Sequence, residues 1–306
     1  MPSRFRVYGQ GSRRHLSKLI FTTVCCLALF PSAFANANQQ QIEVDGIGRS
    51  YALHVPPGIA PGAPLVVVLH GRGSSGEDEI ARSHWQAKAD KEGFIVAAPD
   101  ALSSYDGVEP KRRLTVRDWV RRKYRALRGR NLRRWHGGDN DVALIVSVID
   151  RLRTEWKVDP SRIYLVGFSR GGFMAHTLAL EITDRLAGVA VVSPDVEPEI
   201  TTPPTRPLSF LLVSGDRDPV HPVSGDRPAA TMERWRGLNH CPPVAKIASE
   251  SPDLTIEGAG PCDQGTEIRY VIVHGVDHDW AGAPIPYSDI SWAFLSRFRR
   301  NSDVRQ

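Results

Sequence analysis

Cysteine is scarce in this chain: four in 306 residues, two of them the adjacent pair Cys25 and Cys26. No C-x-x-C spacing occurs, so the paired-thiol motifs of structural zinc sites and dithiol redox centres are missing. Long apolar runs are scarce too. The stretch LIFTTVCCLALF, from Leu19 to Phe30, is shorter than the about 20 residues a bilayer-spanning helix needs, and Pro31 comes directly after it. That argues against an integral membrane protein. No internal repeat and no low-complexity linker interrupts the sequence, which leaves one domain as the simplest organisation for the body of the chain.

Acids are missing from one place in particular. Residues 1–35 hold Arg4, Arg6, Arg13, Arg14 and Lys18 and neither Asp nor Glu. The net charge of +5 therefore belongs to this leader, and the other 34 basic residues balance the 34 acidic ones. A basic stretch, an apolar run and the small-x-small sequence Ala33-Phe34-Ala35 have the form of an export signal cleaved after Ala35. Ser12-Arg13-Arg14-His15-Leu16-Ser17-Lys18 is similar to a twin-arginine export motif, although paired arginines also occur in ordinary signal peptides. Val24 stands before Cys25 where a lipoprotein signal wants a small residue. The expectation is a cleaved leader over 1–35 and a secreted or periplasmic protein over 36–306. Cys25 and Cys26 leave with the leader. Cys241 and Cys262 remain, either as two thiols or as a disulfide closing a loop of roughly 20 residues, worth about 3 kcal/mol in the chain-entropy picture.

What is present is an alternation of short β-branched runs and amphipathic stretches, in a chain long enough to bury a large core. Strands are predicted at Gln41–Asp45, Arg49–Val55, Leu65–Leu69, Phe94–Ala97, Arg162–Val166, Gly188–Val192, Leu208–Val213 and Glu267–Val273. Helices are predicted at Glu77–Glu92, Asp141–Trp156, Arg170–Glu181, Ala229–Leu238 and Asp289–Arg299. The first two strands read as an antiparallel ribbon. The later runs are apolar throughout and separated by helices, which predicts an α/β fold with a mostly parallel sheet of about eight strands covered on both faces.

One segment breaks this rhythm. Between Lys111 and Arg134 the chain carries twelve Lys and Arg residues against Asp118 alone. Within it Val116, Val120, Tyr124 and Leu127 fall at helical spacing. It reads either as a solvated basic helix or as a surface for an anionic partner, such as an acidic polymer, lipid head groups or a carboxylate-bearing substrate. Nucleic acid is not expected for an exported protein.

Two glycine motifs offer competing chemistries. Gly71-x-Gly73-x-x-Gly76 comes after a predicted strand, and Asp100 lies 24 residues beyond Gly76, as in a dinucleotide-binding fingerprint. That pattern would mean a nicotinamide-dependent oxidoreductase. Against it, Glu77, Asp78 and Glu79 open the next helix, where they would repel a pyrophosphate. The second motif, IYLVGFSRGGFMA, places Gly167-Phe168-Ser169-Arg170-Gly171 between an apolar strand and a helix. A strand-turn-helix elbow lifts a serine hydroxyl above the carboxyl ends of the strands.

Such a serine needs a base to take its proton and an acid to orient that base, in the order Ser, Asp or Glu, His. After the strand LSFLLV, Asp216 and Asp218 are both candidates for the acid. After the last strand, VHGVDHDWAG holds His274 and His278. Four residues apart on a helix, these would face one metal ion; Gly275 and Gly282 argue against a helix there. Extended backbone would put the two about 13 Å apart, too far for one ion. His278, in the loop beyond the strand, is the candidate base. The oxyanion donors are predicted as the backbone amides of Arg170, after the serine, and of Arg72, in the loop after Leu65–Leu69. No cofactor and no metal is required.

These stretches together resemble the exported α/β-hydrolase esterases that include polyhydroxybutyrate depolymerases, feruloyl esterases and acetylxylan esterases. The resemblance runs from about Gln41 to Arg299 and rests on RSYALHVPPG, PLVVVLHGRG, DPSRIYLVGFSRGGFMA, SGDRDPV and HGVDHDWAG. It implies an α/β-hydrolase fold and a serine esterase working through an acyl-enzyme. It selects Asp218 through the pattern G-x-x-D-x-V and His278 through G-x-x-H-x-W. It also implies a cysteine pair placed as Cys241 and Cys262 are. Gly275-Val276-Asp277-His278 departs from the GGGH of many relatives, and the basic insertion at about 102–138 is not a feature of the family. Depolymerases of solid polymer carry a linker and binding domain after the catalytic one, whereas this chain stops at Gln306. Soluble esters, polyester oligomers or acylated polysaccharide fragments are the expected substrates. A peptidase or thioesterase on the same fold, or a non-catalytic envelope- or polyanion-binding protein, are the alternatives.

Overall fold

Five runs, LVVVL, IVAAP, IYLVGF, GVAVV and SFLLVSG, show no alternation of apolar and polar residues, and each forms a strand buried along its whole length. A strand covered on both faces has no polar side to keep. These are β3 (Leu65–Leu69), β4 (Ile95–Pro99), β5 (Ile163–Phe168), β6 (Gly188–Val192) and β7 (Ser209–Gly215). With β10 (Ile268–Val273) they run parallel in the order β4-β3-β5-β6-β7-β10. The structure, a computed structural model, describes residues 38–102, 133–194, 203–249 and 251–300. The chain divides into the units Met1–Phe34 and Ala35–Gln306, and every described residue belongs to the second. The expected leader lies outside the described residues, and so does the arginine-rich segment apart from Arg133 and Arg134.

Antiparallel pairs flank the parallel centre. On one side β1 (Asn38–Val44) and β2 (Ile47–His54) join through Asp45 and Gly46, whose φ angles of 52° and 74° give the hairpin turn that Asp-Gly favours. On the other side stand β9 (Leu254–Ala259) and β8 (Ala245–Ile247). The sheet therefore has ten strands rather than about eight. The additional pair, β8 and β9, is short and mostly half-exposed, so neither strand carries the unbroken apolar run of the central ones.

Helices cover both faces. One face packs against α3 (Asp139–Glu155), α4 (Arg170–Glu181) and α5 (Asp226–Leu238). The other packs against α1 (Gly76–Arg82), α2 (Trp85–Glu92) and α6 (Tyr287–Leu295). The single helix expected over Glu77–Glu92 is two, broken at Ser83 and His84, the latter left-handed at φ 59°. Ile80 and Trp85 both sit in the core, 1% and 0% exposed. In one continuous helix, at about 100° per residue, they would point about 140° apart, so the break lets both reach the sheet. Past α5, a disulfide joins Cys241 to Cys262, with Cα atoms 4.3 Å apart. Of the two states left open for these cysteines, the structure has the bonded one.

Candidate active site

β5 ends at Phe168 and α4 begins at Arg170, which leaves Ser169 alone in the turn at φ 54°, ψ −114°. A non-glycine residue holds such a strained conformation only when its surroundings impose it. Here the Ser169 N–H donates to Val192 O at 2.9 Å, and Phe173 N–H donates to Ser169 O at 3.1 Å. The turn also needs bare backbone on both sides. A Cβ on Gly167 would lie 2.1 Å from Gly171 O, and one on Gly171 would lie 2.0 Å from Leu69 O.

The elbow aims Ser169 at the loop after β10. Ser169 Oγ lies 2.9 Å from His278 Nε2, and His278 Nδ1 lies 2.9 Å from Asp218 Oδ2. Asp218 sits just beyond β7 with its side chain fully buried. Its Oδ1 accepts the N–H groups of Val220 at 2.8 Å and His221 at 3.0 Å. Burial by itself would raise this carboxyl. The hydrogen bond from His278, the His221 amide and the Ser193 hydroxyl outweigh burial and hold its pKa at about 2. An ionised Asp218 accepting from Nδ1 leaves Nε2 as the nitrogen that can take a proton from serine. Trp280, two residues past His278, donates from Nε1 to Ser193 Oγ at 3.2 Å, and the Phe168 ring lies 5.2 Å from the imidazole.

The second histidine of this stretch faces another acid. His274 Nδ1 lies 3.0 Å from Asp216 Oδ2, and His274 Nε2 lies 3.0 Å from Thr255 Oγ1. Asp216 also accepts the Gly275 N–H at 2.7 Å. The structure thus sorts two histidines and two aspartates into two pairs, and the His278–Asp218 pair reaches Ser169. Among the described residues no group of three or more His, Cys, Asp and Glu is placed to hold a metal ion.

Ser169 and His278 open on a cleft of about 440 Å³, lined also by Gly71, Arg72, Glu79 and Phe168. Arg72 belongs to the loop after β3, and Arg170 is the first residue of α4. A residue unremarked in the sequence ties these two segments together. Trp135 Nε1 donates to His70 O at 3.0 Å, and Arg170 Nε donates to Trp135 O at 2.7 Å. Gly73 N–H donates to Arg133 O at 2.8 Å, which fixes the loop's far end. Ala101 N–H donates to His70 Nε2 at 3.0 Å, so His70 carries its proton on Nδ1, 2.7 Å from Gly71 O. Burial lowers the His70 pKa, consistent with a neutral ring serving as a brace. No local pattern marks Trp135, because its partners lie 65 and 35 residues away.

The glycine-rich loop serves packing. A Cβ on Gly76 would fall 1.8 Å from Ala98 O. Asp100, the residue a ribose would need, instead accepts from the Gly76 N–H at 2.9 Å, Ser50 Oγ at 2.6 Å and Gln39 Nε2 at 2.9 Å, and pairs with Arg133. It is 4% exposed and occupied by the protein.

The family model described as Phospholipase/Carboxylesterase matches residues 52–233, more than half of the chain. This chain belongs to that family. Among curated relatives, NocK of Nocardia uniformis subsp. tsuyamanensis, a protein named as an esterase, is 30% identical over 286 residues, covering 84% of this chain and 78% of its own. The bifunctional acetylxylan esterase/xylanase XynS20E of Neocallimastix patriciarum is 27% identical, covering 85% of this chain but 35% of its own length. Other relatives are named feruloyl esterase and poly(3-hydroxyalkanoate) depolymerase. The acetyl xylan esterase structure from Aspergillus awamori superposes with a TM-score of 0.60 at 14% identity, covering 85% of this chain and 99% of that one. The phospholipase/carboxylesterase member described here thus has the α/β-hydrolase fold and is a serine-type carboxylic ester hydrolase.

Proposed function

We propose that the protein hydrolyses soluble or oligomeric carboxylic esters through an acyl-enzyme on Ser169. Ser169 Oγ attacks the ester carbonyl carbon while His278 Nε2 takes its proton, and Asp218 holds the resulting imidazolium. The amides of Arg72 and Arg170 donate to the oxyanion, each worth about two to three powers of ten in rate. The tetrahedral intermediate collapses, His278 returns the proton to the leaving alcohol, and water repeats the sequence to release the acid. The observation that carries this reading is the unbroken relay from Ser169 through His278 to Asp218, two contacts of 2.9 Å at the mouth of a cleft. A cleft of about 440 Å³ suits a small acyl group with part of its alcohol. Polyester oligomers and acylated polysaccharide fragments are the substrate classes that the relatives' names support. We further propose a cleaved leader over 1–35, export to the periplasm or medium, and one catalytic domain over 36–306. The basic insertion at about 102–138 is assigned to an anionic ligand or surface. Among the described residues no helix is long and apolar enough to cross a membrane.

The test is covalent labelling. A serine-directed phosphonate should modify the wild type once and stop turnover of a short nitrophenyl ester, while Ser169→Ala should neither label nor turn over. Labelling that persists in Ser169→Ala would move the nucleophile elsewhere.

A further inference from the structure

The wall of the Ser169 cleft contains one buried acid that the relay does not use. Glu79, on α1, is among the lining residues yet is only 1% exposed. Its Oε1 accepts from the hydroxyl of Tyr287, the first residue of α6 and 208 positions away in sequence, and from Ser83 Oγ at 3.4 Å. The N–H of Gly71, in the loop after β3, also acts on this carboxyl group. Oε2 is buried and makes no hydrogen bond of ordinary geometry among the described residues. Arg82 is the described cation that acts on Glu79 most strongly, and that residue is exposed to solvent. A buried carboxylate with one oxygen undonated is disfavoured against the neutral acid. Burial accordingly raises the Glu79 pKa, and it raises that of Tyr287 as well.

Tyr287 belongs to the opposite wall. Its ring stacks on Phe168 at 6.1 Å and 12°, and the Phe168 ring in turn lies 5.2 Å from the His278 imidazole. Trp280, two residues past His278, meets the Tyr287 ring edge-on at 5.8 Å. The Glu79–Tyr287 bond therefore joins the wall that carries Gly71 and Arg72 to the wall that carries His278.

We propose that Glu79 is a positioning residue: as a neutral acid bonded to Tyr287, it fixes the spacing between the oxyanion loop and His278. This rests on the reading of Ser169, His278 and the Arg72 amide given above. Oxyanion and imidazolium form together in the transition state, so the donors and the base must keep one spacing. Glu79 itself touches no reacting atom.

The experiment compares variants of the full protein on a short nitrophenyl ester, with phenylboronic acid as a probe that forms a tetrahedral adduct on Ser169. Glu79→Ala should lower kcat about tenfold or more with KM changed less than about threefold, and should weaken phenylboronic acid by a similar factor to kcat. Glu79→Gln, neutral and of the same shape, should bring kcat back to within about threefold of the wild type. Tyr287→Phe keeps the ring stack and should lose kcat severalfold. Added to Glu79→Ala it should cost little more, because the two act through one bond. Thermal melts and phosphonate labelling check the fold and the nucleophile of each variant. Wild type that neither labels nor turns over overturns the esterase reading and this inference with it. With an active wild type, three results overturn this inference alone: Glu79→Gln as slow as Glu79→Ala, an effect on KM only, or an unchanged kcat in Glu79→Ala. Should Glu79→Ala melt below the assay temperature, a Tyr287→Phe kcat equal to that of the wild type overturns it.

Discussion

His274 and His278 carry the same side chain four residues apart, and each lies within 3.0 Å of an aspartate. Identity of residue and of partner therefore cannot separate them; the difference is what the far nitrogen meets. For His274 it is the Thr255 hydroxyl, and for His278 it is Ser169 Oγ. His278→Ala should lower kcat by at least about a thousandfold, and Asp218→Asn by a similar factor through loss of the correct tautomer. His274→Ala and Asp216→Asn should each cost severalfold at most. Steady-state kinetics on one nitrophenyl ester compares all four, and an Asp216→Asn loss matching that of Asp218→Asn would reverse the assignment. Trp135 calls for a subtler change. Trp135→Phe keeps the ring against His70, whose centroid lies 5.3 Å away, but removes the N–H that holds His70 O. With the loop carrying Arg72 loosened, kcat should fall about tenfold with KM little changed, because an oxyanion donor acts in the transition state. A change in KM alone would make Trp135 a wall of the cleft and no more.

At the scale of elements, the termini of the strands decide what was legible. β4, β5 and β7 each run two residues further than their apolar runs predict, to Pro99, Phe168 and Gly215. The additional residues include Pro99, Gly167 and Gly215, which have poor strand propensity. They are strand because tertiary contact requires it: a Cβ on Gly215 would lie 2.2 Å from Val276 O, in the loop that leads to His278. Local pattern thus locates Ser169 and His278 and narrows the acid to Asp216 or Asp218, with only the family resemblance choosing Asp218, while it blurs the strand ends that position them. The α1–α2 break was hidden for the same reason, since only the core tells Ile80 and Trp85 which way to face. Between α5 and β10 the excursion through β8 and β9 is bound by the Cys241–Cys262 disulfide, which closes a loop of 21 residues. Replacing both cysteines by serine should lower stability by about 3 kcal/mol, roughly 6–12 °C in melting temperature. Ester turnover at 25 °C should persist, as neither cysteine lines the cleft. An unchanged melting curve would mean that β8 and β9 hold themselves.

Across the whole molecule, two carboxylates are pinned at opposite ends of the parallel strands. Asp218 comes after the carboxyl end of β7. Asp159 precedes the amino end of β5 and accepts from Ser161 Oγ at 2.7 Å, Arg162 Nε at 2.7 Å and Arg299 at 3.1 Å. Burial alone would raise Asp159, but Ser161 and Arg162 outweigh it and hold its pKa at about 2, as in Asp218. Both groups start from a carboxyl value of 3.8. A depressed folded-state pKa contributes stability that is fully present above the unfolded value and is lost as pH falls through the folded one. Each group is then worth about 2 kcal/mol at pH 6, nearly all of it gone below pH 2. Urea unfolding midpoints between pH 2 and pH 6 should rise with pH and flatten above about 4. Asp159→Asn should be the weaker protein at pH 6 yet show a pH dependence shallower by about 2 kcal/mol, and so should Asp218→Asn. The two sites lie at opposite ends of the parallel strands with no shared partner, so the double variant should show the sum. A double variant as steep as the wild type would place the acid lability of this fold in other carboxylates.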